Sequence, residues 1–427
     1  MKIIVNPTKD HWSQIATRPV QEQADLEEKV NGIFEKVKSQ GDLAIKNLTL
    51  QFDGCDLNEL EVSADEITSA ENQLEESLKT AILQASQNIR SFHQLQIRDT
   101  LVVETMPGVV CKRMARPIQD VGLYIPGGSA PLFSTVLMLA IPAKLAGCRN
   151  IILCSPPDKN GNIHPAILYA AKHTGVTRIF KVGGAQAIAA LTYGTASVPK
   201  VDKIFGPGNQ YVTAAKLIAA RKGTGIDLPA GPSEVLVIAD EQANPDFVAA
   251  DLLSQAEHGA DSQVVLVTTS STLVEKTLAS LESQLEVLPR KEITKQALEK
   301  SWALVFTDLQ TGMDFSNFYA PEHLIINTSE PNNMLSGVMN AGSVFLGSFT
   351  PESAGDYASG TNHTLPTNGY AKIYGGVSVD SFTKYITVQE ISAEGLKTIG
   401  PVVEKMAQAE SLEAHRQAVS IRLKSLS

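Results

Sequence analysis

Four histidines in the second half of this 427-residue chain stand beside groups that could share chemistry with them. Gln255 and His258 lie three apart in Asp251-Leu252-Leu253-Ser254-Gln255-Ala256-Glu257-His258-Gly259, which places an amide oxygen and a ring nitrogen on one helical face. A metal could use both; a histidine favoured electrostatically at a helix C-terminus, beside a solvated glutamine, fits the same stretch. His323 follows Glu322 in Ala320-Pro321-Glu322-His323-Leu324, two bases at one spot. His363 and Asp356 share a stretch, 355–366, so rich in Gly, Asn and Pro that it reads as a long loop needing a reason. His415 comes just after Glu410, with Ser411 as a candidate N-cap. One carboxylate with imidazoles and an amide suits zinc or a similar ion, although glutamine is an uncommon zinc ligand. His11, His93, His164 and His173 have no polar companions in sequence, so surface or core roles are expected for them.

These side chains need elements to hold them. Asn244 can cap a helix, Pro245 suits its first turn, and Gly259 is expected as the residue that ends it, so Gln255 and His258 belong near a helix C-terminus. Residues 18–100 have helical spacing, with a break at Gly41-Asp42, and 101–118 read as a hairpin turning at Pro107-Gly108. From Asp120, short apolar runs alternate with helical segments: 121–125, 150–154, 178–182 and 203–205 are strands, and 235–239, 264–268, 303–306, 324–326 and 344–346 form a second series. The fold class is therefore α/β: two related, incomplete Rossmann-like domains with parallel sheets, plus a helical N-terminal segment and a C-terminal arm. Leu396, Ile399, Val402, Val403 and Met406 give that arm, 378–427, an apolar stripe to bury, with another subunit as one candidate.

The first series ends its strands in Pro126-Gly127-Gly128-Ser129, Ser155-Pro156-Pro157, Gly183-Gly184-Ala185-Gln186 and Gly206-Pro207-Gly208-Asn209, at the carboxyl edge where such sheets bind ligands. Backbone N–H groups at helix N-termini, approached through glycines, suit a pyrophosphate. Tight turns explain each loop separately just as well, and neither Gly-x-Gly-x-x-Gly nor a Walker lysine motif is present. Lys and Arg number 36 against 46 Asp and Glu, for a net charge of −10, so a nucleic-acid partner has no support. No apolar run reaches membrane-spanning length and the N-terminus lacks a signal core, which places the chain in the cytoplasm. Cys55, Cys111, Cys148 and Cys154 form no Cys-x-x-Cys pair, against a cysteine-rich zinc site or a disulfide scaffold.

Seven stretches in register resemble the histidinol dehydrogenase family: Gly122–Gly128, Gly184–Ala187, Gly206–Asn209, Ala230–Glu234, Ser254–Gly259, Ala320–Leu324 and residues 353–366. The resemblance implies oxidation of L-histidinol to L-histidine through the aldehyde, with one zinc per subunit and NAD used twice. Carried over by motif, Gln255, His258, Asp356 and His415 resemble the zinc ligands, and Glu322 and His323 the acid–base pair. Tyr124, Gln186 and Asn209 fall where that family contacts NAD. Ser233 and Glu410 fall at substrate positions, joined by Gln255, His258, His323, Asp356 and His415, with His363 nearby. The family's arm reaches the neighbouring subunit, implying a homodimer with shared sites. The division expected is a tail at 1–20, one domain from 21–126 and 234–377, a second at 127–233, and the arm at 378–427. Thr361 and Lys372 depart from the proline and arginine expected there. A related dehydrogenase for another alcohol, a zinc hydrolase using Glu322 as base, and a non-catalytic metal-binding protein are the alternatives; NAD binding separates the first two.

Overall fold

The computed structural model describes residues 1–18, 24–127, 131–228 and 231–426. Gly128, Ser129, Pro229 and Ala230, which the sequence reading places in two of the loops, lie outside the described residues. The chain forms two compact units, one of residues 1–96 and 118–382, the other of 97–117 and 383–427.

Two all-parallel sheets build the first unit. In one, the strands run in the order Arg178–Lys181, Asn150–Ser155, Asp120–Tyr124, Lys203–Phe205, Gly225–Ile226. In the other the order is Lys2–Val5, Trp302–Val305, Gln263–Thr268, Glu234–Ala239, His323–Asn327, Ser343–Leu346. Numbered within each series, both read 3-2-1-4-5, so two sheets of the same winding carry out the expected α/β plan. Short apolar strands fit because both faces are covered. Val121, Leu123 and Ile125 pack with helix Phe133–Ala146, buried from Ser134 to Ala143, on one face, while Tyr124, Ile152, Cys154 and Phe180 meet helix Gly184–Tyr193 on the other. In the six-stranded sheet Val235 and Val237 face helix Pro245–Ala256, and Leu236 and Ile238 face Trp12 and Phe315.

Some expectations are corrected. Residues 1–20 are not simply a tail, because Lys2–Val5 is an edge strand paired with Trp302–Val305. The helices within residues 24–94, expected with 234–377, supply core side chains to the five-stranded sheet instead: Val30, Phe34, Ile45, Leu48, Ile82 and Ile89 all pack there. Helix Pro245–Ala256 starts on Asn244 as anticipated, with its side chain accepting from Asp246 N–H at 2.9 Å. It ends three residues before Gly259. A further turn, His258 N–H to Gln255 O at 3.2 Å and Ser262 N–H to Gly259 O at 3.0 Å, takes the last carbonyls without a left-handed glycine. The stretch read as irregular from 353 opens as helix Glu352–Tyr357 on an extended Pro351.

In the second unit, Leu101–Met106 and Val109–Pro117 form the expected hairpin with Gly108 at φ 74°, where a side chain is disfavoured. Thr383–Ile391 adds an antiparallel third strand, so the arm is not purely helical. Helices Ala393–Ala409 and Glu413–Lys424 follow; the cap of the latter is Leu412, and Ser411 sits left-handed at φ 60°. Leu101, Val102, Ile386, Val388, Val402, Met406 and Ile421 are exposed in this unit.

Candidate functional site

The carboxyl edge of the five-stranded sheet opens into a cavity of about 1380 Å³. Tyr124, Gln186 and Asn209 all line it, as do Gly127, Pro156 and Gly184. Strand Asp120–Tyr124 delivers Tyr124 buried, its phenol oxygen accepting from Gly184 N–H at 3.1 Å; burial pushes that phenol up to about 12. Asn209 caps helix Gln210–Arg221, its Oδ1 accepting from Tyr211 N–H at 3.0 Å and Val212 N–H at 3.2 Å. Gln186, buried, lies in the first turn of helix Gly184–Tyr193. Gly206 stands at φ 129°, and a Cβ there would fall 2.1 Å from the Tyr124 carbonyl oxygen, so only glycine lets this loop pass so close. Two residues the sequence reading missed pin it. Lys216 Nζ donates to Gly206 O at 3.0 Å, Asp227 Oδ2 accepts from Gly206 N–H at 2.8 Å, and the two side chains form a buried ion pair. His164, read as lacking companions, lines the cavity too and accepts from Ala166 N–H at 3.2 Å. His93 is also partnered, against Ile89 O at 2.9 Å, and is a buried core histidine.

The second group gathers at the opposite kind of edge, where strands Glu234–Ala239 and His323–Asn327 of the six-stranded sheet begin. The backbone of one residue holds both members of the Glu–His pair: Glu234 N–H donates to Glu322 Oε2 at 2.9 Å, and His323 Nδ1 lies 3.1 Å from Glu234 O. Nδ1 faces that carbonyl and, at 3.5 Å, the Glu322 carboxylate, both acceptors, so Nδ1 is the nitrogen that keeps a proton in either charge state of the ring. Buried Nε2 has no hydrogen-bond partner and lies 3.5 Å from Asp356 Oδ1. Burial disfavours charge on His323, but Glu322, Asp356 and Glu352 outweigh it and hold its pKa well above the ordinary histidine value. Burial raises that of Glu322. Asp356 is pulled down: burial works the other way, but the His323, His363 and His258 imidazoles prevail.

Gln255, at the end of helix Pro245–Ala256, is buried with its Oε1 unsatisfied, while its Nε2 donates to Glu352. Glu352 also accepts from Ser254 Oγ at 3.1 Å, and burial pushes its pKa up to about 8. Donor atoms of His323, Glu352 and Asp356 all lie within 4.8 Å of one another. Glu352 was missed because its stretch reads as a loop; taken as a helix, Glu352 and Asp356 are four apart on one face. His258 is solvent-exposed just past the helix, close enough to Asp356, His323 and His363 to feel their charges; partial desolvation first, then those imidazoles, depress its pKa. Ser233 is half-buried directly before Glu234. His363 spans the two regions, with Nδ1 2.8 Å from Asp356 O and Nε2 3.1 Å from Thr135 Oγ1. Glu410 and His415 are exposed residues of the second unit, at the end of one helix and in the first turn of the next.

A donor set with unmet acceptors suits a cation: the Gln255 oxygen is orphaned, the Asp356 carboxylate has no proton to share, and the unpartnered His323 Nε2 becomes a third acceptor when its ring is neutral. An acid–base pair, a cation-suited cluster and a large glycine-walled cavity on two doubly wound sheets define an α/β enzyme. The histidinol dehydrogenase family model matches residues 16–423. The chain is 56% identical to histidinol dehydrogenase of Bacteroides thetaiotaomicron, covering all of both chains, and 53% identical to that of Haemophilus influenzae, covering 97% of this chain and 96% of the other. The crystal structure of histidinol dehydrogenase from Elizabethkingia anophelis superposes with a TM-score of 0.98 at 57% identity, over 100% of this chain and 98% of that one. The chain belongs to the histidinol dehydrogenase family and is an oxidoreductase of amino-acid biosynthesis. Among the described residues no helix is long and apolar enough to cross a membrane.

Proposed function

We propose that the chain catalyses the zinc-dependent four-electron oxidation of L-histidinol to L-histidine, through the aldehyde and with two NAD, in the cytoplasm. The observation that carries the reading is the buried, unpartnered His323 Nε2 beside the unsatisfied Gln255 oxygen and Asp356. Gln255, His258 and Asp356, with His415 of the partner subunit, would hold the metal. Zinc there supplies positive charge against the carboxylates that otherwise keep His323 protonated, and binds the substrate's imidazole and amine.

The alcohol gives up its O–H proton to His323 Nε2 as hydride leaves the adjacent carbon. Glu322, raised in pKa by burial, is suited to take a proton from the water that adds to the aldehyde. His323 returns its first proton to the aldehyde oxygen as the water adds, completing the hydrate, and its freed Nε2 then takes an O–H proton from the hydrate as the second hydride leaves. Each hydride is received by one NAD, held at the Tyr124–Gln186–Asn209 cavity, whose size and helix N-termini suit a dinucleotide. Ser233, with Glu410 of the partner subunit, completes the substrate pocket. The exposed apolar residues of the second unit support burial against a second copy.

NADH formed per L-histidinol consumed, measured on purified protein before and after chelation, tests this. Two NADH, lost on chelation and restored by zinc, is the expected result. No NADH from histidinol but turnover of another alcohol would move the chain to a related dehydrogenase.

A further inference from the structure

The Glu234 backbone that grips Glu322 and His323 is itself held by its own side chain, which touches neither. Glu234 is fully buried, and Arg18 closes on it with two bonds, Nε to Oε1 at 3.0 Å and Nη2 to Oε2 at 2.9 Å. Asn368 N–H adds a third, to Oε1 at 2.8 Å. Arg18 in turn is fixed by Tyr319, whose carbonyl accepts from Nη2 at 2.7 Å and whose ring centre lies 3.7 Å from the guanidinium carbon. The circuit closes through Gln263, the register partner of Glu234: Tyr319 OH donates to Gln263 Oε1 at 2.8 Å, and Gln263 Nε2 reaches Thr17 O at 3.3 Å.

A two-bond guanidinium–carboxylate clamp fixes direction as well as distance. Its direction here sets the backbone of Glu234, the first residue of strand Glu234–Ala239, whose N–H and C=O orient the two groups on the neighbouring strand. We infer that Arg18 is a positioning residue for the reaction, acting through Glu234 on Glu322 and His323. The inference rests on the acid–base reading of that pair. It predicts that loosening the clamp slows chemistry without weakening binding, because neither Arg18 nor the Glu234 carboxylate bonds to a proposed substrate, metal or cofactor residue.

The experiment compares Arg18→Ala, Arg18→Lys and the isosteric Glu234→Gln with the parent in kcat, both KM values and zinc content, alongside Glu322→Gln and His323→Asn. Arg18→Ala is expected to lower kcat by roughly 10- to 100-fold, the penalty of a misplaced catalytic group, with both KM values and zinc content held. Arg18→Lys should keep more of the rate, and added ethylguanidine should restore part of it to Arg18→Ala. Should Arg18→Ala not fold, Glu234→Gln carries the same comparison. Parental kcat in the Arg18 and Glu234 variants, with Glu322→Gln or His323→Asn inactive, overturns the positioning role alone. Parental kcat in Glu322→Gln and His323→Asn overturns the acid–base reading, and this inference with it.

Discussion

Replacing Asp227 with alanine tests how the cavity loop is held. Lys216 and Asp227 are only 3% and 1% exposed and grip the carbonyl and N–H of Gly206 from opposite sides; Asp227 also accepts from Leu228 N–H at 2.8 Å. Removing the carboxylate leaves an ammonium buried with one carbonyl, which costs about 3–5 kcal/mol when a buried pair is broken. For a chain of this size each kcal/mol lowers Tm by roughly 1 °C, so a fall of about 3–6 °C is expected. Asn209, three residues after Gly206, should lose its setting, raising KM for NAD while KM for histidinol stays near the parental value. Lys216→Met combined with Asp227→Leu removes both charges, and should cost less than the two single changes added, because no uncompensated charge remains. Urea unfolding of the parent, Asp227→Ala, Lys216→Met, Asp227→Leu and the double variant, with steady-state kinetics in both substrates, makes the measurement. A cost below about 1 kcal/mol for Asp227→Ala, or strict additivity in the double variant, refutes the argument.

Asp356→Ala should lose zinc together with activity, read by metal analysis after gel filtration; full zinc content in that variant would remove Asp356 from the ligand set. Glu322→Gln should slow histidinol oxidation more than oxidation of added aldehyde hydrate, and equal losses would argue against water activation by Glu322. Burial pushes Asp251 up to about 7, so its folded pKa exceeds the unfolded one. Its protonated form is favoured by folding: the penalty is absent below pH ~4, grows as pH rises towards 7 and is constant above. Asp251→Asn should therefore gain stability over the parent by about 2–4 kcal/mol at pH 8 and little at pH 4.5; equal gains at both would show that ionisation is not the cause. Gly206→Ala should raise KM for NAD, since its Cβ meets the Tyr124 carbonyl at 2.1 Å, and a parental KM would show that the loop can shift at no cost.

Nine strands in two series were legible because each is a short apolar run, several of them ending at Gly, Pro or Asn, and because alternation of strand and helix leaves few other folds. Lys2–Val5 was not, as an edge strand exposes Ile3 and Val5 and looks like any chain start. Gly225–Ile226 is too short to show a pattern. Site residues with a partner close in sequence, such as Glu322 with His323 and Gln255 with His258, stood out. Arg18 and Glu234, 216 residues apart, share nothing that spacing could reveal, and neither do Lys216 and Gly206, joined only by a tertiary turn. Glu352 was hidden by a composition that mimics a loop, although a proline at the N-cap and a glutamate in the first turn are helix-start signals.

The general rule that open α/β sheets bind ligands at their carboxyl edge located the cavity and misses the second cluster. Helix direction accounts for both. At the carboxyl edge the following helices begin, and their N-termini at Gly184 and Gln210 bring partial positive charge to that edge, which suits phosphates. At the amino edge the helices end, so Pro245–Ala256 brings Gln255 there with its last carbonyls and partial negative charge, which suits a cation and a cationic imidazole. Two sheets of one winding thus offer opposite polarities, and an enzyme needing both an anionic cofactor and a metal can take one from each. The reaction requires them to meet, and His363 marks where: its Nδ1, facing the Asp356 carbonyl, carries the proton, so its Nε2 accepts from Thr135 Oγ1 on the helix that follows the Tyr124 loop. In the proposed reaction the carbon that loses hydride would lie along that link, within reach of His323 on one side and the cavity on the other.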